Sequence, residues 1–255
     1  MKANFKTLNI RFYEELNDFV SKDKRKKRFQ HKFIDRTSVK DLIESLGVPH
    51  TEVDLILVNG NSVSFDYIIN DKDDIAVYPV FESLDITNIQ HLRKKPFRKP
   101  RFVCDVHLGK LARNLRMLGF DVFYENTLDD NNIVKIAMVE KRTILTRDVG
   151  ILKRNEVTRG YFLRSTDPEE QTSEVLKRFD LYINIKLFSR CLECGKTLKN
   201  IAKKKIIDLI PETIKNTQTN FVICPTCKKI YWKGSHYQNM LSFIKKLQSP
   251  FTKFT

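Results

Sequence analysis

Along the first 80 residues, apolar and polar side chains alternate in short runs. Leu8, Ile10 and Phe12 interleave with Thr7, Asn9 and Arg11, the period of a half-buried strand. The basic turn Lys22–Arg28 leads to Phe29–Ile34, which reads as its hairpin partner. Ser38 followed by Asp41 forms a capping-box signal, Leu42, Ile43 and Leu46 make an apolar stripe, and Gly47 stops the helix. Val53–Val58, the Asn59-Gly60 turn, Val63–Tyr67 and Ile75–Val80 then predict three further strands.

From Arg101 the pattern changes to strand, helix, strand, helix, strand. "RFVCDV" is a short strand of the buried type. His107–Leu118 places Leu108, Leu111, Ala112, Leu115 and Leu118 on one helical face, and Gly119 ends it. "FDVFY" is the next strand, Asp129–Lys141 the next helix and "RTILT" the third strand. Such alternation predicts a parallel sheet with right-handed crossovers. Asp167-Pro168-Glu169-Glu170 opens one more helix with a cap, a proline and an acidic first turn.

Charge divides the chain in the same places. Residues 1–88 carry 13 basic and 15 acidic side chains, residues 89–101 carry six basic and no acidic ones, and residues 102–255 carry 27 against 16. A near-neutral front joined to a basic back points to a polyanionic partner, most simply nucleic acid. Surface lysine serving solubility alone is the plainer explanation. No apolar run approaches the roughly 20 residues of a membrane span. No charged-then-apolar leader opens the chain, and five cysteines in a chain of this length do not make a disulfide framework. A reducing, cytoplasmic setting without membrane attachment is the expectation.

Parallel strands put their C-terminal ends on one edge, where ligand sites of open α/β sheets gather. Asp105 and Asp148 each follow a strand, and Asp130 sits in the first turn of a helix starting at that edge. Clustered carboxylates repel one another unless a cation neutralises them, and oxygen ligands favour Mg²⁺ or Mn²⁺. Such an ion can activate water for attack on a phosphodiester. The competing reading is that Asp130 caps a helix while the other two merely end strands.

The stretch "FVCDVHLGKLARNLRMLGFDVFYENTLDDNNIVKIAMVEKRTILTRDVGIL" closely resembles the Mut-seven C-terminal RNase domain family, a branch of the PIN-like nucleases. The likeness runs through Asp105, Leu111 to Asp121, Asp130 to Ala137 and Thr146 to Leu152, and covers roughly residues 101–240. It implies a metal-dependent ribonuclease centred on Asp105, Asp130 and Asp148, with Asp129 as a neighbour able to replace Asp130. Arg113, Arg116 and Arg147 are candidates to hold phosphates, or to pair with the acids. Asp121 reads as a strand-ending or backbone-binding residue.

"CLEC" at 191–194 and "CPTC" at 224–227 are two C-x₂-C knuckles separated by 29 residues. Four thiolates offered in pairs suit tetrahedral zinc, and a site closed by four protein ligands is structural. The Ile/Lys alternation around Ile201–Ile210 is expected to supply ribbon strands. Cys104, the fifth cysteine, falls in a buried strand and reads as a core side chain. After the second knuckle, "YWKGSH" resembles the closing motif of the same family. Trp232 and His236 there are candidates to contact bases, or a packed aromatic and a histidine bonded to the zinc loop.

The front segment, with "VKDLIESLGVPHTEVDLILVNG" and "DDIAVYPV", resembles the β-grasp fold of ubiquitin-like sulfur carriers. It lacks the terminal Gly-Gly of a carrier, which leaves docking to a protein partner or support of its neighbour. The expected organisation is therefore an α+β ubiquitin-like β-grasp domain over 1–83 and a basic linker over 84–100. An α/β PIN-like parallel-sheet domain over 101–188, an appended zinc ribbon with its closing motif over 189–240 and a C-terminal helix or tail over 241–255 follow. The near-neutral front is expected to be separable from the nuclease.

Overall fold

The computed structural model describes residues 5–34, 36–79, 100–234, 237 and 241–245. The basic linker and most of the C-terminal tail lie outside these residues. Among the described residues, no helix is long and apolar enough to cross a membrane.

Strand β1 (Lys6–Phe12) buries Leu8, Ile10 and Phe12 and pairs antiparallel with β2 (Phe29–Phe33). Helix α1 (Val39–Ser45) is capped as its sequence demands: the Asp41 amide donates to Ser38 Oγ at 3.1 Å, and that hydroxyl donates to the Asp41 carboxylate at 2.7 Å. Gly47 follows at φ +107°, where a Cβ would stand 2.6 Å from the Phe19 carbonyl oxygen, so only glycine fits the stop. Strand β3 (Val53–Val58) turns through Asn59-Gly60 into β4 (Asn61–Ser62), and β5 (Asp74–Pro79) closes the sheet in the order β2-β1-β5-β3-β4. The β1–β5 pair is parallel, which gives the mixed sheet of a ubiquitin-like domain.

One expected strand is absent. Beyond Ser62 the backbone of 63–70 forms no strand, and the Asp73 carboxylate gathers this loop. It accepts from Asn59 Nδ2 (2.8 Å), the Asn70 amide (2.8 Å) and the Tyr67 hydroxyl (3.1 Å). Val63, Phe65 and Tyr67 still pack on the core, and pairing shrinks to isolated bonds such as the Val63 amide to the Ile56 carbonyl at 3.0 Å.

The second sheet begins at β6 (Phe102–Cys104), followed by a 3₁₀ turn (Val106–Leu108) and α2 (Gly109–Met117). Leu111, Ala112, Leu115 and Leu118 are buried, as their spacing requires. Strand β7 (Val122–Phe123), helix α3 (Asp130–Glu140) and strand β8 (Thr143–Thr146) complete the alternation. β6 pairs in parallel with β7 on one side and β8 on the other.

Two compact units divide the chain, and the division is not a single cut. Thr146–Phe162, with the short helix α4 (Val149–Leu152) and strand β9 (Gly160–Phe162), belongs to the same unit as Met1–Lys99. Pro100–Leu145 and Leu163–Thr255 form the other.

In that second unit, α5 (Pro168–Arg178) packs on α2, and Phe179 meets Phe102 edge-on at 5.2 Å. Strand β10 (Lys199–Ile201), helix α6 (Glu212–Thr217) and strands β11 (Phe221–Ile223) and β12 (Ile230–Trp232) follow, with the strands antiparallel in that order. The expected run of ribbon strand through Ile210 is corrected here. β10 stops at Ile201, and two 3₁₀ turns occupy Lys203–Lys205 and Ile207–Leu209. Ile206 and Ile210, which flank the second turn, and Ile214 of α6 pack on Phe221.

Candidate metal centre and active site

Each knuckle folds by the same local device. Cys191 and Cys224 donate their amides to the carbonyls of Lys196 (2.8 Å) and Lys229 (2.9 Å), five residues on. The residue after the second cysteine, Gly195 or Lys228, takes the left-handed conformation at φ +70° or +63°. Both turns aim their thiols inward. Cys191 Sγ lies 3.5 Å from Cys227 Sγ, and Cys194 Sγ lies 3.4 Å from Cys224 Sγ and 3.9 Å from Cys227 Sγ. Sulfurs about 2.3 Å from a central zinc would be about 3.8 Å apart in a tetrahedron, so the spacing fits. These four cysteines can hold a structural metal such as zinc, and none of them is in a disulfide. Cys104 is fully buried in β6, where burial pushes its thiol up to about 12.

Side chains that the spacing does not single out support this centre. The Tyr231 hydroxyl sits 3.1 Å from Cys191 Sγ and accepts the Leu192 amide at 3.2 Å. Burial, then the Cys191 contact, pushes this phenol up, so it stays protonated and donates to the sulfur. Arg116, only 4% exposed, gives its guanidinium to the carbonyls of Val122 (3.1 Å), Leu192 (3.3 Å), Glu193 and Tyr124 (3.3 Å). The expectation that Arg116 contacts substrate is therefore corrected: it ties α2 and β7 to the first knuckle. Burial lowers it from the ordinary arginine range without removing its charge.

Asp121 is likewise a structural partner. Its carboxylate meets Arg142 at 2.7 Å and Arg190 at 3.1 Å. Burial alone would push the group up, but the Arg142 hydrogen bond and the charges of Arg142, Arg190 and Arg101 outweigh it and hold it below the usual carboxylate range.

The three candidate acids have different local settings. Asp105 directly follows β6, is 7% exposed and donates its amide to the Leu145 carbonyl at 3.0 Å. Asp130 is the exposed first residue of α3. Asp129 is the cap, accepting the amide and side-chain nitrogen of Asn132 at 2.8 and 3.1 Å. Asp148 is exposed and caps α4, accepting from the Gly150 amide at 2.6 Å. Among the described residues, the cysteines are the only metal-ligating group of three or more with ligand atoms within 4.8 Å of one another; the carboxylates do not form such a group. Arg113 is exposed and pairs with Glu193 at 3.3 Å, and Lys229 reaches the same carboxylate at 2.8 Å. Arg147 is exposed. Trp232 packs edge-on to Phe221 at 6.4 Å in the small ribbon core, and His236 lies outside the described residues.

In chain order, a ubiquitin-like domain, a parallel sheet with acids following β6 and β8, and a four-cysteine ribbon define a PIN-like nuclease class of protein. Comparison with known proteins agrees. The Mut7-C RNAse domain family matches residues 100–244, and the Mut7-C ubiquitin family matches residues 5–85. The chain belongs to the Mut7-C RNAse domain family, a family of nucleases. It is 37% identical over 106 residues to the exonuclease mut-7 homolog of Homo sapiens, an overlap covering 39% of this chain and 12% of that protein. No solved structure matches.

Proposed function

We propose that the protein is a metal-dependent ribonuclease whose catalytic ion, Mg²⁺ or Mn²⁺, is held by Asp105, Asp130 and Asp148, with zinc held separately and structurally by the four cysteines. The observation that carries this reading is the RNase-family match over 100–244, in which a nearly buried acid, Asp105, ends the central strand of a parallel sheet. The carboxylates offer oxygen ligands alone, which suit these hard ions. When bound, the ion supplies an activated water and charge stabilisation at the attacked phosphate.

The chain's own residues do the positioning. Arg113 and Arg147 are exposed cations suited to phosphate oxygens. The Arg113–Glu193 pair is solvent-accessible and weak, so a phosphate can replace it. The charge of residues 102–255, 27 basic against 16 acidic side chains, supplies the salt-sensitive attraction to RNA. A cytoplasmic setting, which keeps thiols reduced, would suit a four-cysteine metal centre. The test is incubation of purified protein with labelled RNA and Mn²⁺, then with EDTA. Metal-dependent cleavage should fall at least ~10²-fold in the Asp105→Asn, Asp148→Asn double variant, while RNA binding without metal persists. Unchanged cleavage in that variant overturns the assignment. The second reading, an RNA-binding adaptor without catalysis, draws on the four-cysteine ribbon and the basic charge of 102–255 and is selected if the parent never cleaves.

A further inference from the structure

The chain returns to the ubiquitin-like domain for 17 residues starting at Thr146, the last residue of β8, and Asp148 is the third residue of that return. The domain holds the later part of the segment, from Lys153 to Phe162, at several points. Lys40 of α1 donates to Asn155 Oδ1 at 2.8 Å, and Lys153 donates back to the Glu44 carbonyl at 2.7 Å. His50 is 8% exposed; its Nε2 donates to the Val157 carbonyl at 2.7 Å while its Nδ1 lies 2.6 Å from the Glu44 carboxylate. Glu52 is 1% exposed and accepts the Phe162 amide at 2.6 Å. Phe19 meets Phe162 edge-on at 5.2 Å. Gly160 is buried so closely against Leu152 and Thr51 that a Cβ would collide with the leucine side chain.

A carboxylate and an imidazole are costly to bury unless their hydrogen bonds are met. Here Thr146–Phe162 supplies one partner to each, the Val157 carbonyl to His50 and the Phe162 amide to Glu52, beside the Glu44 carboxylate that His50 meets within the domain. The segment is thus tied to the domain through two buried polar side chains.

We infer that the ubiquitin-like domain is an intramolecular clamp whose job is to fix the conformation of the segment bearing Asp148, with His50 and Glu52 as positioning residues. The link to catalysis rests on the reading of Asp148 as a metal ligand. The clamp itself rests on the contacts alone. It acts on the short helix α4: Lys153, the tethered residue, directly follows Leu152, and Asp148 caps the other end.

The test uses the full chain with His50→Ala and Glu52→Ala, read by hydrogen exchange and by the Mn²⁺ concentration giving half-maximal RNA cleavage. Amides of 147–162 should exchange at least about tenfold faster while 102–145 keeps the parent's protection. The Mn²⁺ requirement should rise about tenfold, the size of loss seen when supporting contacts around a metal site are removed. KM for RNA should stay as in the parent. Should the buried variants lose protection throughout, the Lys40→Met, Lys153→Met double variant decides, since it cuts two tethers outside the buried core. Parent-like exchange over 147–162 in the variants that remain folded overturns the clamp. Faster exchange with an unchanged Mn²⁺ requirement overturns the link to Asp148. A parent that never cleaves overturns the nuclease reading, and the exchange result then judges the clamp by itself.

Discussion

Tyr231 and Asp121 show how single side chains here serve centres to which they are not ligands. The Tyr231 hydroxyl stabilises charge on Cys191 and holds the Leu192 amide. Tyr231→Phe should leave the fold intact and weaken zinc retention by about 10-fold or more, measured by competition with a chromogenic chelator. At Asp121 the prediction concerns pH. Its native carboxyl titrates below the unfolded one, so between the two values the unfolded chain binds more protons. Its contribution is thus present above the unfolded pKa and is lost as pH falls through the native one. Asp121→Asn should cost about 2 kcal/mol near neutrality. The gap to the parent should close in acid, as checked by urea denaturation at several pH values. Neither role is written in the spacing of the residues. Asp121 lies beside Phe120 and Val122 at a strand start, and only the fold brings Arg142 and Arg190 to it.

At the scale of elements, local chemistry made much of the architecture legible. The Ser38–Asp41 cap, the leucine face of α2 and the paired C-x₂-C knuckles each carry their own physical reason, and each is found. What misled was periodicity without context. Val63, Phe65 and Tyr67 alternate and pack on the core, yet form no strand, with the Tyr67 hydroxyl bonded to Asp73 instead. Ile206, Ile210 and Ile214 sit among lysines but pack on Phe221 from beside a 3₁₀ turn and from α6, not from a strand. The candidate acids were legible as strand ends and helix starts. The partners that tie Asp148's segment down were not, because they lie about 100 residues away in sequence. The ribbon offers a separate prediction. Its core is only Ile206, Ile210 and Phe221 with their half-buried neighbours, too small to persist without cross-linking metal. Stripping zinc should open β10–β12 while the buried cores around Phe102 and Ile10 hold. Trp232, the single tryptophan, should report this as a red shift and loss of fluorescence anisotropy, while far-ultraviolet dichroism changes little.

For the whole molecule, the twofold visit of the chain to one compact unit decides what can be removed. Residues 1–88 are near neutral and carry their own hydrophobic pattern, which argues for a detachable domain. The contacts argue otherwise. Deleting residues 1–99 should leave Leu152, Val157 and Phe162 without cover and expose 146–162 to protease. RNA binding, which rests on the basic remainder, should survive with a steep salt dependence. Limited proteolysis and binding titrations at two salt concentrations check both parts. Rapid cleavage within 146–162 in the truncated chain, but not in the parent, is the expected outcome.

The same arrangement imposes an order of events during synthesis. The sheet of the front domain is complete once Pro79 has been made, but Phe162, whose amide Glu52 accepts, is added some 80 residues later. At typical elongation rates of 5–20 residues per second, that gap lasts roughly 4–16 s. Throughout it the nascent domain lacks the segment whose Val157 carbonyl and Phe162 amide meet His50 and Glu52, so its final contacts close only late in translation.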